Sequence, residues 1–260
     1  MRPRRGTAGG RPPSQPAGQL KGPLSLARAL SKFGVCSRKE AERWIEAGRV
    51  RVDGHVVRTP ARRIDPRTMR VVVDGRRVGD DTERIVVMLN KPAGYITTRD
   101  DPRGRPTVYD LLGDLGRWVF PVGRLDQDTT GLILLTNDHR LGQQLTDPDH
   151  HVPKTYHALV DGVPSLEVLD TLRTGVPLAD GTLTRPAQVT ALGSARGQRT
   201  WLEIVLTEGK NRQVRRMCAQ VGHDVVSLSR IRVGALALGD VGLGEWRQLS
   251  PAEVVRLTRR

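Results

Sequence analysis

Leu26, Leu30 and Phe33 recur at helical spacing and Gly34 follows as a stop, so the ordered chain is expected to open with a short helix. A second helix is expected from the Ser37-x-x-Glu40 capping box, with Ala41, Trp44 and Ile45 as its apolar face and Gly48 as its end. Arg49 to Val52, the Asp53-Gly54 turn and His55 to Val57 then read as a hairpin, valines inward and arginines outward. A short strand pair should follow around Val71 to Val73 and Asp74-Gly75. Beyond Thr82 short apolar runs dominate: Arg84 to Leu89, Trp118 to Val122, Leu132 to Leu135, Val152 to Val160 and Trp201 to Leu206 read as strands. Helices are expected near Leu141 to Leu145, Leu166 to Leu172 and Asn211 to Val221. A doubly wound parallel fold would need regular strand and helix alternation, which is absent, so the class is α+β.

Residues 1–23 hold Gly, Pro and Arg with almost no apolar side chains, and such a segment cannot repay its ordering entropy. The pattern gives three regions: a disordered basic tail over 1–23, a first folded unit and linker over 24–81, and a second over 82–260. No apolar run approaches the roughly 20 residues of a membrane span, and the N-terminus lacks a signal-peptide core. A cytoplasmic protein without a membrane partner is expected. Cys36 and Cys218 lie far apart at or within helix-like segments, which suits reduced thiols. His150, His151 and His157 have no Cys or carboxylate at a metal-ligand spacing, so no metal is expected.

Charge narrows the partner. The formal net charge is +14. Residues 1–23 carry five basic side chains and no acid, residues 24–70 carry twelve against five, and the remaining residues carry 25 against 23. The excess sits at the N-terminal end on a compact helix and hairpin pattern without a large apolar face, which favours nucleic acid over a membrane surface. Arg38, Lys39, Arg43, Arg49 and Arg51 are its candidate RNA contacts.

Three segments carry candidate chemistry. Gly123-Arg124-Leu125-Asp126 should form a short loop held between two buried strands, although an aspartate there could also cap a turn. Lys154, Tyr156 and Ala158 share one side of a strand. Glu208-Gly209-Lys210-Asn211-Arg212-Gln213 follows a strand and opens a helix, where backbone amides favour an anion. Arg215 and Arg216 then need solvent, a carboxylate or phosphate. Lys91 stands at a strand end before Pro92-Ala93-Gly94, where it could simply be solvated, and Asp100 to Pro106 should be a mobile loop able to close on a phosphate backbone.

The helix, helix, hairpin order of residues 24–70 resembles the small alpha-L RNA-binding fold, often called the S-four domain. Together with the Gly-Arg-Leu-Asp loop, the Lys-Thr-Tyr strand and the Gly-Lys-Asn-Arg-Gln-x-Arg-Arg-Met helix start, it resembles the pseudouridine synthases of the branch that modifies bacterial ribosomal RNA at single uridines. The resemblance covers about residues 24–250 and includes Gly244-Glu245-Trp246-Arg247. It implies a mixed, mainly antiparallel catalytic sheet, and a catalytic set of Asp126, Arg124, Tyr156 and Lys210. Asp126 matches the catalytic aspartate, Arg124 the base-displacing arginine and Tyr156 the base-contacting tyrosine. Lys210 matches the cation that pairs with the aspartate, with Arg212 as its rival, and Arg212, Arg215 and Arg216 join the RNA-contacting residues.

The reaction implied needs no cofactor: the bond from uracil to the ribose anomeric carbon breaks, the base turns and a carbon–carbon bond replaces it. A single carboxylate could add to the anomeric centre, stabilise it or take a sugar proton, while Asp128 is expected to be structural. The expected substrate is a uridine in a structured region of large-subunit ribosomal RNA, with small-subunit RNA as the alternative and a monomer as the expected state. Two other readings remain: a noncatalytic RNA-binding or ribosome-assembly protein, and a glycosylase, which would release free uracil.

Overall fold

The computed structural model describes residues 22–79, 83–195 and 198–258. The expected basic tail therefore lies outside the described residues except at its last two positions. The chain divides into two compact units, one formed by Met1–Phe33 with Arg38–Thr82, the other by Gly34–Ser37 with Glu83–Arg260.

In the first unit β1 (Leu24–Ser25) leads into α1 (Leu26–Lys32), and α2 (Arg38–Glu46) follows. Leu26, Ala29 and Leu30 of α1 are buried, as are Ala41 and Ile45 of α2, as the apolar spacing requires. β2 (Val50–Val52), β3 (His55–Val56), β4 (Arg63–Ile64), β5 (Val71–Val73) and β6 (Arg76–Val78) complete the unit. β4 pairs with β1, and the others form an antiparallel sheet ordered β3-β2-β5-β6. Asp53 and Gly54 both take positive φ, 50° and 84°, so the strand twist is met by a tight hairpin turn. Val50, Val52, Val71 and Val73 are buried. Val56 is not. It pairs directly with Arg51, and residues opposite one another across a ladder share a face, so Val56 is exposed on the arginine side rather than inward.

The second unit contains β7 (Val86–Lys91), β8 (Phe120–Val122), β9 (Thr130–Thr136), α3 (His139–Thr146), β10 (Lys154–Asp161) and α4 (Leu166–Thr174). It continues with β11 (Gln188–Ala195), β12 (Arg199–Leu206), α5 (Gln213–Gln220), β13 (Val225–Val233), β14 (Leu236–Ala237), β15 (Trp246–Gln248) and α6 (Pro251–Thr258). One sheet runs β11-β12-β10-β13-β9-β7-β15, with β14 on β13 and β8 on β9. Every pairing is antiparallel except β13 with β9, where Ser229 meets Thr130 and Arg230 meets Gly131. β9 is covered on both sides: Leu132 and Leu134 join a core with Leu141, Leu145 and Leu257, while Ile133 and Leu135 join another with Val108, Leu112 and Leu125. That double burial explains its continuous apolar run. A third core packs α4 and α5 on β10 and β12 through Leu169, Leu172, Val214, Met217, Ala158 and Ile204. Cys36 and Cys218 are buried, and neither forms a disulfide among the described residues.

Gly131 is required where the parallel pair meets. Its φ is +99°, and a Cβ there would strike the backbone carbonyl and amide of Arg230. Gly131→Ala is expected to lower stability by about 3 kcal/mol through combined clash and backbone strain, read as a fall in the urea midpoint at unchanged slope.

Candidate active site

A cleft of about 990 Å³ in the second unit is lined by the loop after β8, the start of β10 and the segment leading into α5. The loop is built by its main chain. Gly123 turns it with φ +77°, and Leu125 is buried in the core. The Thr97 hydroxyl donates to the Leu125 carbonyl at 2.9 Å and accepts from the Leu125 amide at 3.2 Å. Past Asp126, the Gly94 amide donates to the Gln127 carbonyl at 2.8 Å. The Lys91 ammonium, fully buried, donates to the carbonyls of Pro92 and Thr129, both at 2.9 Å, and to that of Gln127 at 3.4 Å. The turn carrying Asp126 is thus clamped from both sides. Burial pulls Lys91 down to about 8, against the opposing charges of Asp128 and Asp126.

Asp126 is partly exposed on the cleft, and among the described residues its carboxylate caps no backbone amide, unlike the turn-capping alternative. Its cationic neighbour is Arg212, with Nη1 3.8 Å from Oδ2. This corrects the expected pairing with Lys210. The Lys210 ammonium instead donates to the Leu183 carbonyl at 2.7 Å and lies 3.1 Å from Glu208. Glu208 is a buried carboxylate two residues away, and it also accepts from the Arg185 amide and the Gln213 side chain. Burial raises the Glu208 carboxyl, but those bonds and the Lys210 charge hold it below its ordinary value.

Arg212, the residue immediately before α5, meets Asp126 from a left-handed backbone, φ 47° and ψ 35°. That conformation costs a non-glycine residue on the order of 1 kcal/mol. Two 3.1 Å bonds to Asp128 fix the guanidinium in return. Arg215 also holds Asp128, through the carboxylate at 3.2 Å and the carbonyl at 3.0 Å. Burial pushes the Asp128 carboxyl up, yet the Arg212 hydrogen bonds and the two arginine charges leave it lowered overall. Asp128 therefore holds Arg212 beside Asp126 and anchors Arg215 as well.

Tyr156 lines the same cleft, its ring packed against two of the cores. Arg124 is exposed at the rim and makes no hydrogen bond or ion pair among the described residues. Of the expected RNA contacts, Lys39, Arg43 and Arg51 are exposed in the first unit, and Arg38 is exposed with an i,i+4 partner in Glu42. Arg49 is shared between Asp74 and the Trp44 ring, and Arg216 is held by Asp180 at 2.6 Å. The segment from Asp100 to Pro106 borders the cleft with an internal bidentate pair between Arg105 and Asp101. One residue escaped the sequence reading and another was left open by it. Thr97 carries no motif signal, and Lys91, which could have been solvated, is among the most buried side chains.

Residues 85–220 match the family described as RNA pseudouridylate synthase, and residues 25–69 match the S4 domain. The chain belongs to the RNA pseudouridylate synthase family. It is 44% identical over 239 residues to an uncharacterized RNA pseudouridine synthase of Mycobacterium tuberculosis, covering 90% of this chain and 92% of that one. It is 37% identical to the ribosomal large subunit pseudouridine synthase B of Bacillus subtilis, covering 89% and 94% respectively. A crystal structure of a pseudouridylate synthase superposes with a TM-score of 0.66 at 28% identity over 90% of this chain and all of that one. The enzyme therefore joins an RNA-binding S4 unit to a pseudouridine synthase unit. No helix among the described residues is long and apolar enough to cross a membrane.

Proposed function

We propose that this RNA pseudouridine synthase converts one uridine of large-subunit ribosomal RNA to pseudouridine, with Asp126 as its catalytic carboxylate. The observation that carries the reading is the clamped Asp126 loop opening into a cleft beside Tyr156, with Arg212 as counter-ion. The large-subunit choice rests on the similarity to the Bacillus subtilis enzyme of that name. The enzyme works as a cytoplasmic monomer.

In the reaction the C1′–N1 bond breaks, the uracil turns, C5 bonds to C1′, the C5 proton departs and N1 gains a proton. Addition to C1′ and removal of a sugar proton would both be done by the Asp126 carboxylate, beside which Arg212 stands as counter-ion. Turning the uridine out of its stack costs a few kcal/mol. Arg124 fills the gap left behind and Tyr156 stacks on the base.

Mapping pseudouridine in ribosomal RNA from cells with and without the gene tests the assignment. One large-subunit site should vanish; loss confined to small-subunit RNA, or no loss, overturns it. The S4 unit should supply the salt-sensitive part of RNA binding. Replacing Arg38, Lys39 and Arg43 together by Gln in the full chain is expected to flatten log Kd against log salt by about 0.7–0.9 for each phosphate that the variant no longer neutralises.

A further inference from the structure

We infer that Lys154 and Arg230 form an anion subsite in the cleft that grips a phosphate flanking the target uridine. This rests on the functional reading above and adds a grip on the substrate backbone.

Tyr156 and Arg230 are direct partners across β10 and β13 and so share a face of the sheet. Lys154 lies two residues before Tyr156 on the same strand, about 6.6 Å along it and on that same face. All three line the cleft. Arg230 is only 6% exposed, and its one side-chain hydrogen bond among the described residues runs from Nε to the Leu132 carbonyl at 2.7 Å. That bond aims the fork and leaves the terminal nitrogens without a protein acceptor among the described residues. Lys154 is half-buried and, among the described residues, its ammonium has no hydrogen bond or ion pair.

The carboxylates bordering the cleft do not neutralise this pair. Asp126 faces Arg212, Glu208 holds Lys210 and Asp101 holds Arg105. Asp100 makes no ion pair among the described residues. Two adjacent cations, one nearly buried, are unfavourable without an anion, because each loses water and repels the other. Burial first, and then the Arg230 charge, bring Lys154 down to about 8, as expected of a cation awaiting its partner. A phosphodiester is the anion that RNA brings. A base held against Tyr156 carries its flanking phosphates within reach of the next same-face residue, and Arg230 offers two parallel donors to phosphate oxygens.

The test uses the full-length enzyme and a synthetic RNA spanning the uridine it modifies, made with normal linkages or with one neutral methylphosphonate 5′ or 3′ of that uridine. Lys154→Met should raise KM on normal RNA about tenfold or more, the loss of one charge-assisted bond. One neutral linkage should raise the wild-type KM by a similar factor, and combining it with Lys154→Met should add little. Lys154→Arg should restore most of the affinity. The Met variant should melt no lower than wild type, since it removes an uncompensated cation.

An unchanged KM, an effect on kcat alone, multiplication of the two effects or a marked fall in melting temperature overturns the subsite. Absence of any pseudouridine with wild-type enzyme overturns the functional reading and the subsite with it.

Discussion

Asp126→Asn is expected to bind RNA with wild-type affinity and to make no measurable pseudouridine, a loss of about 10⁴-fold or more if the proposed reacting carboxylate is removed without its shape. The amide fills the same volume on a loop whose position depends on main-chain bonds to Thr97, Gly94 and Lys91, so the fold should not change. Arg212 keeps its two bonds to Asp128 and stays in place. Binding is read by filter retention and turnover by pseudouridine content in the same RNA. A variant with wild-type turnover would remove the central claim.

Lys91→Met is the next largest expected effect, and it acts on stability and rate together. Removing the ammonium strands the carbonyl acceptors of Pro92 and Thr129, while that of Gln127 keeps the Gly94 amide, at about 1–3 kcal/mol for each one left unpaired. Part is recovered because the wild-type protein holds a desolvated cation there. A net destabilisation of about 3 kcal/mol is expected in urea titrations. With the clamp released the loop shifts, and a displacement near 1 Å at the reacting group can lower kcat about 100-fold.

The same lysine gives a pH signature. Its folded value, about 8, lies below its ordinary 10.5, so between those limits the unfolded chain binds more protons. Its contribution to stability therefore rises as pH climbs from about 8 towards 10.5 and is flat below. Lys154 adds a slope of the same sign. The slope should shrink in Lys91→Met, and an undiminished slope would exclude Lys91 as its source.

Local order was readable in the sequence because it is written at short range. The spacing of Leu26 and Leu30, the Asp53-Gly54 turn and the run Leu132 to Leu135 each specify an element from neighbouring residues. The Asp126 loop was legible because flanking strands and a turn fix its ends. Lys91 was not, since two of the three carbonyls that receive it belong to residues 36 and 38 positions further on. The partner of Asp126 was not legible either: Lys210 and Arg212 are two apart and both line the cleft, but Lys210 is taken by Glu208 and the Leu183 carbonyl, while Arg212, with its left-handed backbone, lies against Asp126. Val56 misled for a related reason, because its face is set by register opposite Arg51 and not by its own hydrophobicity.

The parallel pairing between β9 and β13 also orders events during synthesis. Thr130 and Gly131 leave the Asp126 turn, yet their partners Ser229 and Arg230 are translated about a hundred residues later. The S4 unit, complete by Thr82, is made well before the cleft can close. At typical elongation rates of roughly 5–20 residues per second, that interval is on the order of ten seconds. During it the nascent chain presents its basic face beside the ribosome that is making it, able to hold RNA but without the sheet needed to modify it.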